Sequence, residues 1–373
     1  MVKVCHLTSA HPRYDTRIFL KECSSLLQAG YNVSLVVADG KGDEKRSEIA
    51  IFDAGASSGR FDRIRNAPDR VLKKALEINA KVYHLHDPEL LTIALKLKKK
   101  GKIVVFDSHE DVPKQIRGKH YLNKFIKIVI SNLFAWYEVY ICRQIDAVIG
   151  ATPSITQKFQ KIRCYSVNIN NFPLQNEFAD PGRNYSEKRK QVCFIGGISR
   201  LRGIVNVIQA FRYVKSGARL ILAGEFDEQK VRDEVTADPA WDSITELGQV
   251  ERVTVKEILR TSVAGIVTFL PAPNHVDSQP NKMFEYMSAG IPVIASDFPN
   301  WKQVIEDNQC GLCVDANNAI SIAKAIDYMI ENPLEARRMG ENGSRMVRTK
   351  YNWSYEERKL LDFYKKILIE ESK

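Results

Sequence analysis

Much that marks a specialised chain is missing from these 373 residues. The seven cysteines are odd in number and follow no framework spacing, so a disulfide-stapled scaffold is excluded and reduced thiols are expected. Two of them form Cys310-Gly-Leu-Cys313, but the pair enters an apparent strand rather than a helix start, and no nearby Cys or His completes a zinc set. No apolar stretch approaches the ~20 residues that span a bilayer. No charged n-region with an apolar core opens the chain, since Met1-Val2-Lys3-Val4-Cys5-His6 reads directly as a strand. No secretory signal is therefore expected, and the expected location is the cytoplasm. An Asp-x-Asp pair able to hold Mg²⁺ or Mn²⁺ is absent, so no metal is expected. Low-complexity tracts and short-period repeats are lacking too, and 44% hydrophobic with 27% charged residues leaves no case for disorder.

What is present is a basic excess laid over a regular alternation of elements. Lys and Arg number 55 against 45 Asp and Glu, a formal net charge of +10. Such an excess favours anionic partners: nucleic acid, acidic lipid or phosphorylated small molecules. It is concentrated in Lys96, Lys98, Lys99, Lys100 and Lys102, and again in Lys114, Arg117, Lys119, Lys124 and Lys127. At ~100–200 residues per domain, two domains are expected. Short apolar runs alternate with helical patterns, the signature of parallel α/β sheets. The first half offers strands at 2–7, 32–38, 81–86, 103–107 and 147–151, with helices at 16–28 and 89–100 between them. A turn-rich, charged stretch at 173–190 reads as a linker between domains at 1–172 and 191–353. The second series has strands at 192–195, 219–223, 244–247, 263–270, 292–295 and 311–314, and helices at 204–213, 253–260, 281–289 and from 319 onward. The expectation is α/β: two tandem Rossmann-like, doubly wound domains, followed by a separate helix at 354–370.

In such sheets ligands sit beyond the carboxyl ends of the strands. Three strand ends of the first domain carry polar clusters: Thr8 to Arg17, with His11, Arg13 and Arg17; His86-Asp87-Pro-Glu89; and Ser108-His109-Glu110-Asp111. Their convergence on one edge points to a site rather than to scattered structural residues. In the second domain, Phe194-Ile-Gly196-Gly197 followed by Arg202-Gly203 reads as strand, glycine loop and helix start, where backbone approaches a phosphate closely. Pro280-Asn281-Lys282 opens another helix, with Pro280 in its first turn. A Lys there opposes the helix dipole unless an anion is bound. Glu285, one turn further on, is placed to accept hydrogen bonds from two adjacent hydroxyls, as on a ribose.

The pairing of Asp277 with Glu285, seven residues between, resembles the E-x7-E motif of family 4 glycosyltransferases with the GT-B fold. Phe284-Glu-Tyr-Met-Ser-Ala-Gly-Ile-Pro-Val-Ile is similar to the segment around the second acidic residue of that motif. The resemblance extends to Gly196-Gly197, Arg202-Gly203, Leu222-Ala-Gly224, Gly248-Gln-Val250, His84-Leu-His-Asp-Pro-Glu-Leu90 and Asp107-Ser-His-Glu110. It implies a cleft between the two domains and a terminal helix, 354–373, that returns to the first. It implies retaining transfer from a nucleoside-diphosphate sugar, with no cofactor beyond that substrate. Glu285 would hold the ribose, Gly248 to Val250 would frame the base, and Gly196, Gly197, Arg202, Asn281 and Lys282 would meet the diphosphate. Asp277 and His109 would flank the donor sugar, while His11, Arg13, Arg17, His86 and Asp87 would serve the acceptor. Two departures stand out: Asp277 replaces the usual Glu, and Gly197 stands where relatives often carry Arg.

Residues 121–142 are unusually apolar and aromatic, from Phe125 to Tyr140, interrupted by Lys124 and Lys127. A helix apolar around most of its girth is expected to be buried. The alternative is an anionic membrane surface, the inner face of the cytoplasmic membrane. That location suits a lipid-linked saccharide acceptor and polysaccharide or O-antigen synthesis. Two further readings stay open, a nucleotide-sugar 2-epimerase and a basic anion-binding protein. Nucleic acid is not expected, since no helix-turn-helix or RNA-binding aromatic motif is evident.

Overall fold

Strands rich in Val, Ile and Leu, buried on both faces, favour parallel pairing covered by helices. The computed structural model describes residues 1–119, 123–174, 177–178 and 188–370. These fold as two compact units, Met1–Asn171 with Trp353–Lys373, and Phe172–Asn352.

The first unit is an eight-stranded sheet: β1 (Lys3–Leu7), β2 (Asn32–Val37), β3 (Glu44–Arg46), β4 (Ile49–Asp53), β5 (Val82–Leu85), β6 (Ile103–Ser108), β7 (Ala147–Gly150) and β8 (Ser166–Asn168). Their spatial order is β3-β4-β2-β1-β5-β6-β7-β8, parallel except for the β3–β4 hairpin. That hairpin and β8 are short additions that the apolar runs do not announce. The chain order reverses between β1 and β5, the crevice where doubly wound sheets bind ligands. The helix expected at 16–28 begins as a π-helical run, Thr16–Cys23, and continues as Ser24–Gln28. Asp15 caps it by accepting from the Arg17 and Ile18 amides.

The second unit holds β9 (Gln191–Ile195), β10 (Arg219–Ala223), β11 (Ile244–Gly248), β12 (Ala264–Val267), β13 (Val293–Ser296) and β14 (Gly311–Val314). All are parallel, in the order β11-β10-β9-β12-β13-β14, with the reversal between β9 and β12. Its core packs helices on both faces, and Tyr286 reaches through it so that the Ile195 amide donates to its hydroxyl at 3.0 Å.

The terminal helix, Trp353–Glu370, groups with the first unit. Trp353 Nε1 donates to Ser25 Oγ at 3.0 Å, Glu356 accepts from the Asn170 amide at 2.8 Å, and Tyr364 Oη lies 2.9 Å from His84 Nδ1. The stretch 173–190, expected as a linker, lies mostly outside the described residues. Where it is described it is packed: Phe178 is buried in the second core, and Lys188 Nζ donates to the Leu259 and Ser262 carbonyls.

Two expectations change. The helix Lys124–Cys142 has 19 residues, long and apolar enough by length and composition to cross a membrane. Nor is it buried. Phe125, Leu133 and Trp136 are 74%, 63% and 69% exposed, with Ile126, Ile128, Val129, Ile130 and Tyr140 also outside. The packed face is mixed: Ile141 and Cys142 join the first core, Ser131 Oγ donates to the Pro113 carbonyl, and Glu138 pairs with Lys158 at 2.6 Å. Residues 120–122, ahead of it, lie outside the described residues. The upstream basic cluster is partly neutralised, since Lys96 pairs with Asp69 and Lys98 with Asp146.

Candidate functional site

At the second unit's reversal, β9 runs out into Gly196, whose φ is +116° and whose amide donates to the Ala223 carbonyl at 2.8 Å. A short turn, Arg200–Arg202, then leads through Gly203 into the helix Ile204–Ala210. Gly203 has φ +81°, and a Cβ there would stand 1.9 Å from the Thr268 carbonyl oxygen. Only glycine lets this helix start so close to the chain leaving β12.

The turn delivers Arg202 back over the glycines. Its Nη1 donates to the Gly197 carbonyl at 3.0 Å and its guanidinium lies 5.7 Å from the Phe269 ring centre. Among the described residues it pairs with no carboxylate. Lys282 reaches the same spot from the Asn281–Ala289 helix: a Cβ on Gly196 would sit 3.2 Å from Lys282 Cε and 3.9 Å from Arg202 Nη1. Arg202, Lys282, Gly196 and Gly197 are thus one patch. Pro280 is the residue preceding that helix rather than part of its first turn, and no side chain caps the amides behind it. Two cations, bare helix amides and a glycine loop make a receptor for a polyanion.

Glu285 lies one turn into the helix and is mostly buried. Its Oε2 is 2.6 Å from Lys282 Nζ, and its Oε1 is 3.5 Å from Arg252. Arg252, held also by Glu177 and over the Phe178 ring, is absent from the sequence reading. The signal was available: it opens the helix Arg252–Thr261 right after Gly248-Gln-Val250, where the dipole disfavours a cation. Gly248 has φ +65° and its carbonyl accepts from the Gly224 amide, while Val250 packs partly buried on the core. Asp277 lies in a half-buried turn ahead of the helix, anchored beside it where Trp301 Nε1 donates to the Ser278 carbonyl at 2.7 Å.

Gly197 offers a clean probe of this patch. A Cβ there would stand 2.7 Å from Arg202 Nη1, the movable end of a flexible side chain. Gly197→Ala is therefore expected to leave stability within about 0.5 kcal/mol while displacing the guanidinium. Titration calorimetry with nucleoside diphosphates should show affinity down by roughly tenfold, the worth of one charge-assisted hydrogen bond.

In the first unit the three strand ends do meet, but not all as acceptor groups. Asp87 organises the loop after β1: its Oδ2 accepts from Thr8 Oγ1 at 2.7 Å and the Ser9 amide at 2.6 Å, and Oδ1 pairs with His11 at 2.9 Å. Burial alone would raise its pKa, yet His11, Thr8 and the Ser9 amide hold it well below the carboxylate range. Burial lowers His11, but its bond to Asp87 together with the charges of Asp87, Asp15 and Asp107 raises it above the usual imidazole value. Arg13 does not face outward as expected, because it is spent on Asp39, at 2.8 and 2.6 Å, and on Glu44 at 2.9 Å. Arg17 is likewise buried, bidentate to Asp107 at 2.8 and 2.9 Å and donating to the Ile169 carbonyl. His86 and Asp87 are buried too, and burial pushes the His86 pKa down to about 4. These four are therefore not presented as expected: Arg13, Arg17 and Asp87 are enclosed with partners of opposite charge, and His86 is enclosed and kept uncharged by burial. His11 and His109 remain partly exposed, ring centres 4.8 Å apart, with His109 Nε2 3.1 Å from Asp107. Cys310 and Cys313, pushed up to about 12 by burial, are inert structural thiols.

Residues 176–346 match the family described as glycosyl transferases group 1. An alpha-maltose-1-phosphate synthase of Mycobacterium tuberculosis is 26% identical over 189 residues, 48% of each chain. The chain thus matches about half the length of that relative. A phosphatidyl-myo-inositol mannosyltransferase of Mycobacterium leprae is 23% identical over 333 residues, covering 85% of this chain and 82% of that one. The solved structure of Anabaena Alr3699/HepE in complex with UDP-glucose superposes with a TM-score of 0.74 at 13% identity, over 98% of this chain and 100% of the other. With two Rossmann-like units in the GT-B pattern, and with residues 176–346 matching the group 1 glycosyl transferases, the chain is similar to glycosyltransferases.

Proposed function

We propose that the chain is a retaining glycosyltransferase that moves a sugar from a nucleoside-diphosphate donor to a lipid-linked saccharide, in polysaccharide or O-antigen synthesis. One observation carries the donor assignment: Arg202 and Lys282 share a patch with Gly196 and Gly197, one helical turn from the buried Glu285. On this reading the diphosphate lies on that patch and draws Lys282 away from Glu285. The freed carboxylate then accepts both ribose hydroxyls, and Gly248 to Val250 frame the base, with Arg252 at their side. Two cations and bare amides offset the leaving charge, so transfer needs no divalent ion. UDP-glucose in the Alr3699/HepE structure supports a nucleotide-sugar ligand for this fold.

The step follows from the groups available. The bond between the sugar's anomeric carbon and the leaving phosphate oxygen breaks, and a bond to the acceptor hydroxyl forms on the same face. The departing phosphate takes the acceptor's proton, so no protein nucleophile is required. The domain supplies position and charge stabilisation, with Asp277 beside the donor sugar. In the first unit, His11 is assigned to the acceptor and His109 to the sugar in transfer.

The lipid-linked acceptor rests on the helix Lys124–Cys142. Its exposed aromatic face, with Lys124, Lys127 and Arg117 nearby, suits a shallow seat in an anionic leaflet. The inner face of the cytoplasmic membrane is the surface that fits, and the Mycobacterium leprae relative is named for a lipid-borne substrate. Sedimentation with phosphatidylglycerol vesicles at low salt should carry the protein down, and Trp136→Glu with Leu133→Glu should leave it in the supernatant. Equal sedimentation by the double variant removes the membrane from the reading.

The activity itself is tested with labelled nucleotide sugars, membrane lipid extract and no added Mg²⁺ or Mn²⁺. Label in the lipid fraction with retained anomeric configuration is expected. Conversion of donor alone to an epimer or glycal would instead establish an epimerase. Failure of every nucleoside diphosphate to raise the melting temperature would overturn the donor site.

A further inference from the structure

Three histidines of the first unit have no part in the assignments above that explains their company. His6 on β1 stands opposite His84 on β5 in the parallel register, and His86 follows two residues later on the same face. Their ring centres lie 4.6, 5.1 and 4.6 Å apart. Glu22, from the π-helical run Thr16–Cys23, points at all three. Its Oε2 is 3.9 Å from His6 Nδ1, 4.0 Å from His84 Nε2 and 3.8 Å from His86 Nε2. All four side chains are completely enclosed. Yet Glu22 Oε2, His84 Nε2 and His6 Nε2 have no hydrogen-bond partner, a costly state for buried polar atoms, and Glu22 Oε1 has only an ion pair with Arg17.

We propose that His6 Nδ1, His84 Nε2, His86 Nε2 and Glu22 Oε2 are the four ligands of one buried transition-metal ion, of which zinc is the best fit. Three imidazoles and one carboxylate are a donor set for zinc rather than for Mg²⁺ or Ca²⁺. Metal–nitrogen bonds of about 2.0–2.1 Å in a tetrahedron hold ring centres about 5 Å apart, the spacing found here. They hold ligand atoms about 3.3 Å apart, so the carboxylate would move in by roughly half an ångström, and His6 Nδ1 and His86 Nε2, 2.8 Å apart here, would move apart by as much.

The outer groups fit this assignment. His84 Nδ1 lies 2.9 Å from Tyr364 Oη and His86 Nδ1 lies 3.4 Å from Asp107 Oδ2, oxygens able to accept a proton from those nitrogens and leave the inward lone pairs to the ion. Glu22 Oε1 faces Arg17 Nε at 3.1 Å, leaving Oε2 for the ion. The competing arrangement is a purely protonic one, in which His6 Nδ1 and His86 Nε2 share a hydrogen bond at 2.8 Å. It leaves His84 Nε2 and Glu22 Oε2 unsatisfied, whereas the ion satisfies both; His6 Nε2 lacks a partner in either arrangement. Because Tyr364 belongs to the terminal helix, the ion would tie that helix to β5 and act as a structural lock of the first unit. It is separate from the donor's diphosphate, whose groups all belong to the second unit, so either assignment can fail without the other.

The test uses the full chain without an affinity tag, equilibrated with Zn²⁺ or Co²⁺ and passed over chelating resin. Mass spectrometry of the metal content should find about one equivalent per chain. The cobalt form should show the strong visible absorption of a tetrahedral site, and the ion should raise the unfolding midpoint by about 5 °C or more. Glu22→Gln and His84→Gln should lose ion and absorption, and His275→Gln, in the second unit, should keep both. Less than about 0.2 equivalents in the unaltered chain, or full metal content in both ligand variants, overturns the proposal. Should the variants fail to fold, X-ray absorption of the zinc form decides. Three imidazole nitrogens and one oxygen at about 2.0–2.2 Å support the site, and fewer than three imidazoles overturn it.

Discussion

Replacing Glu285 with alanine is expected to lower kcat/KM for the nucleotide sugar by about 10³-fold. Two hydrogen bonds to a charged carboxylate are worth roughly 1.5–3 kcal/mol each, and about 1.4 kcal/mol is a factor of ten. The loss should fall on donor affinity as well as turnover, because the ribose contact exists before and during transfer. The fold should survive. Glu285 sits at the rim of its unit, and its two neighbours, Lys282 and Arg252, keep water contact when it is removed. Glu285→Gln, which accepts through one oxygen only, should fall between the two. Steady-state kinetics over a range of donor concentrations, with circular dichroism as the control for folding, decide the matter. Turnover near that of the unaltered chain at saturating donor would show that the ribose is held elsewhere.

The second large effect is on stability. Arg17→Leu should cost about 3–5 kcal/mol, the usual penalty for removing one partner of a buried ion pair. Arg17 is 3% exposed, bidentate to the fully buried Asp107, and close to Glu22. Burial alone would raise Asp107, but Arg17 and His109 hold it well below the carboxylate range, whereas burial pushes Glu22 up. Without the guanidinium, Asp107 must either stay charged in an apolar surround or take up a proton. Arg17→Lys should recover only part of the loss, since an ammonium cannot fork across both Asp107 oxygens and still reach the Ile169 carbonyl. Chemical denaturation should show the deficit in the first unit's transition, with the second unit's unchanged. A loss under about 1 kcal/mol would mean that the network is hydrated and not a buried ion pair.

Arg17 also shows where the sequence is ambiguous. Seen as a string, Thr8 to Arg17 is a polar loop after a strand, and three arginines or histidines there look alike. Burial separates them. Arg13 meets Asp39 and Glu44, and Arg17 meets Asp107, partners 26, 31 and 90 residues away that no local pattern announces. The helix Lys124–Cys142 misleads in the opposite direction. Its composition reads as core, but its buried residues include Ser131 and Glu138, fixed by Pro113 and Lys158, and its aromatic face is turned out.

By itself the sequence determined the alternating elements and the two doubly wound units, and it singled out the glycines and cations that the second unit brings into one patch. Those follow from local rules: apolar runs make buried parallel strands, and glycines and cations at helix starts mark anion sites. Only the tertiary structure decided which charged side chains are available to a ligand, which are consumed by one another, and which face of the apolar helix meets solvent. It alone brought His6, His84, His86 and Glu22 together, because strand register and a helix crossing are long-range facts. The physical reason is the same throughout. A residue's chemistry is local, but its burial and its partners are set by packing.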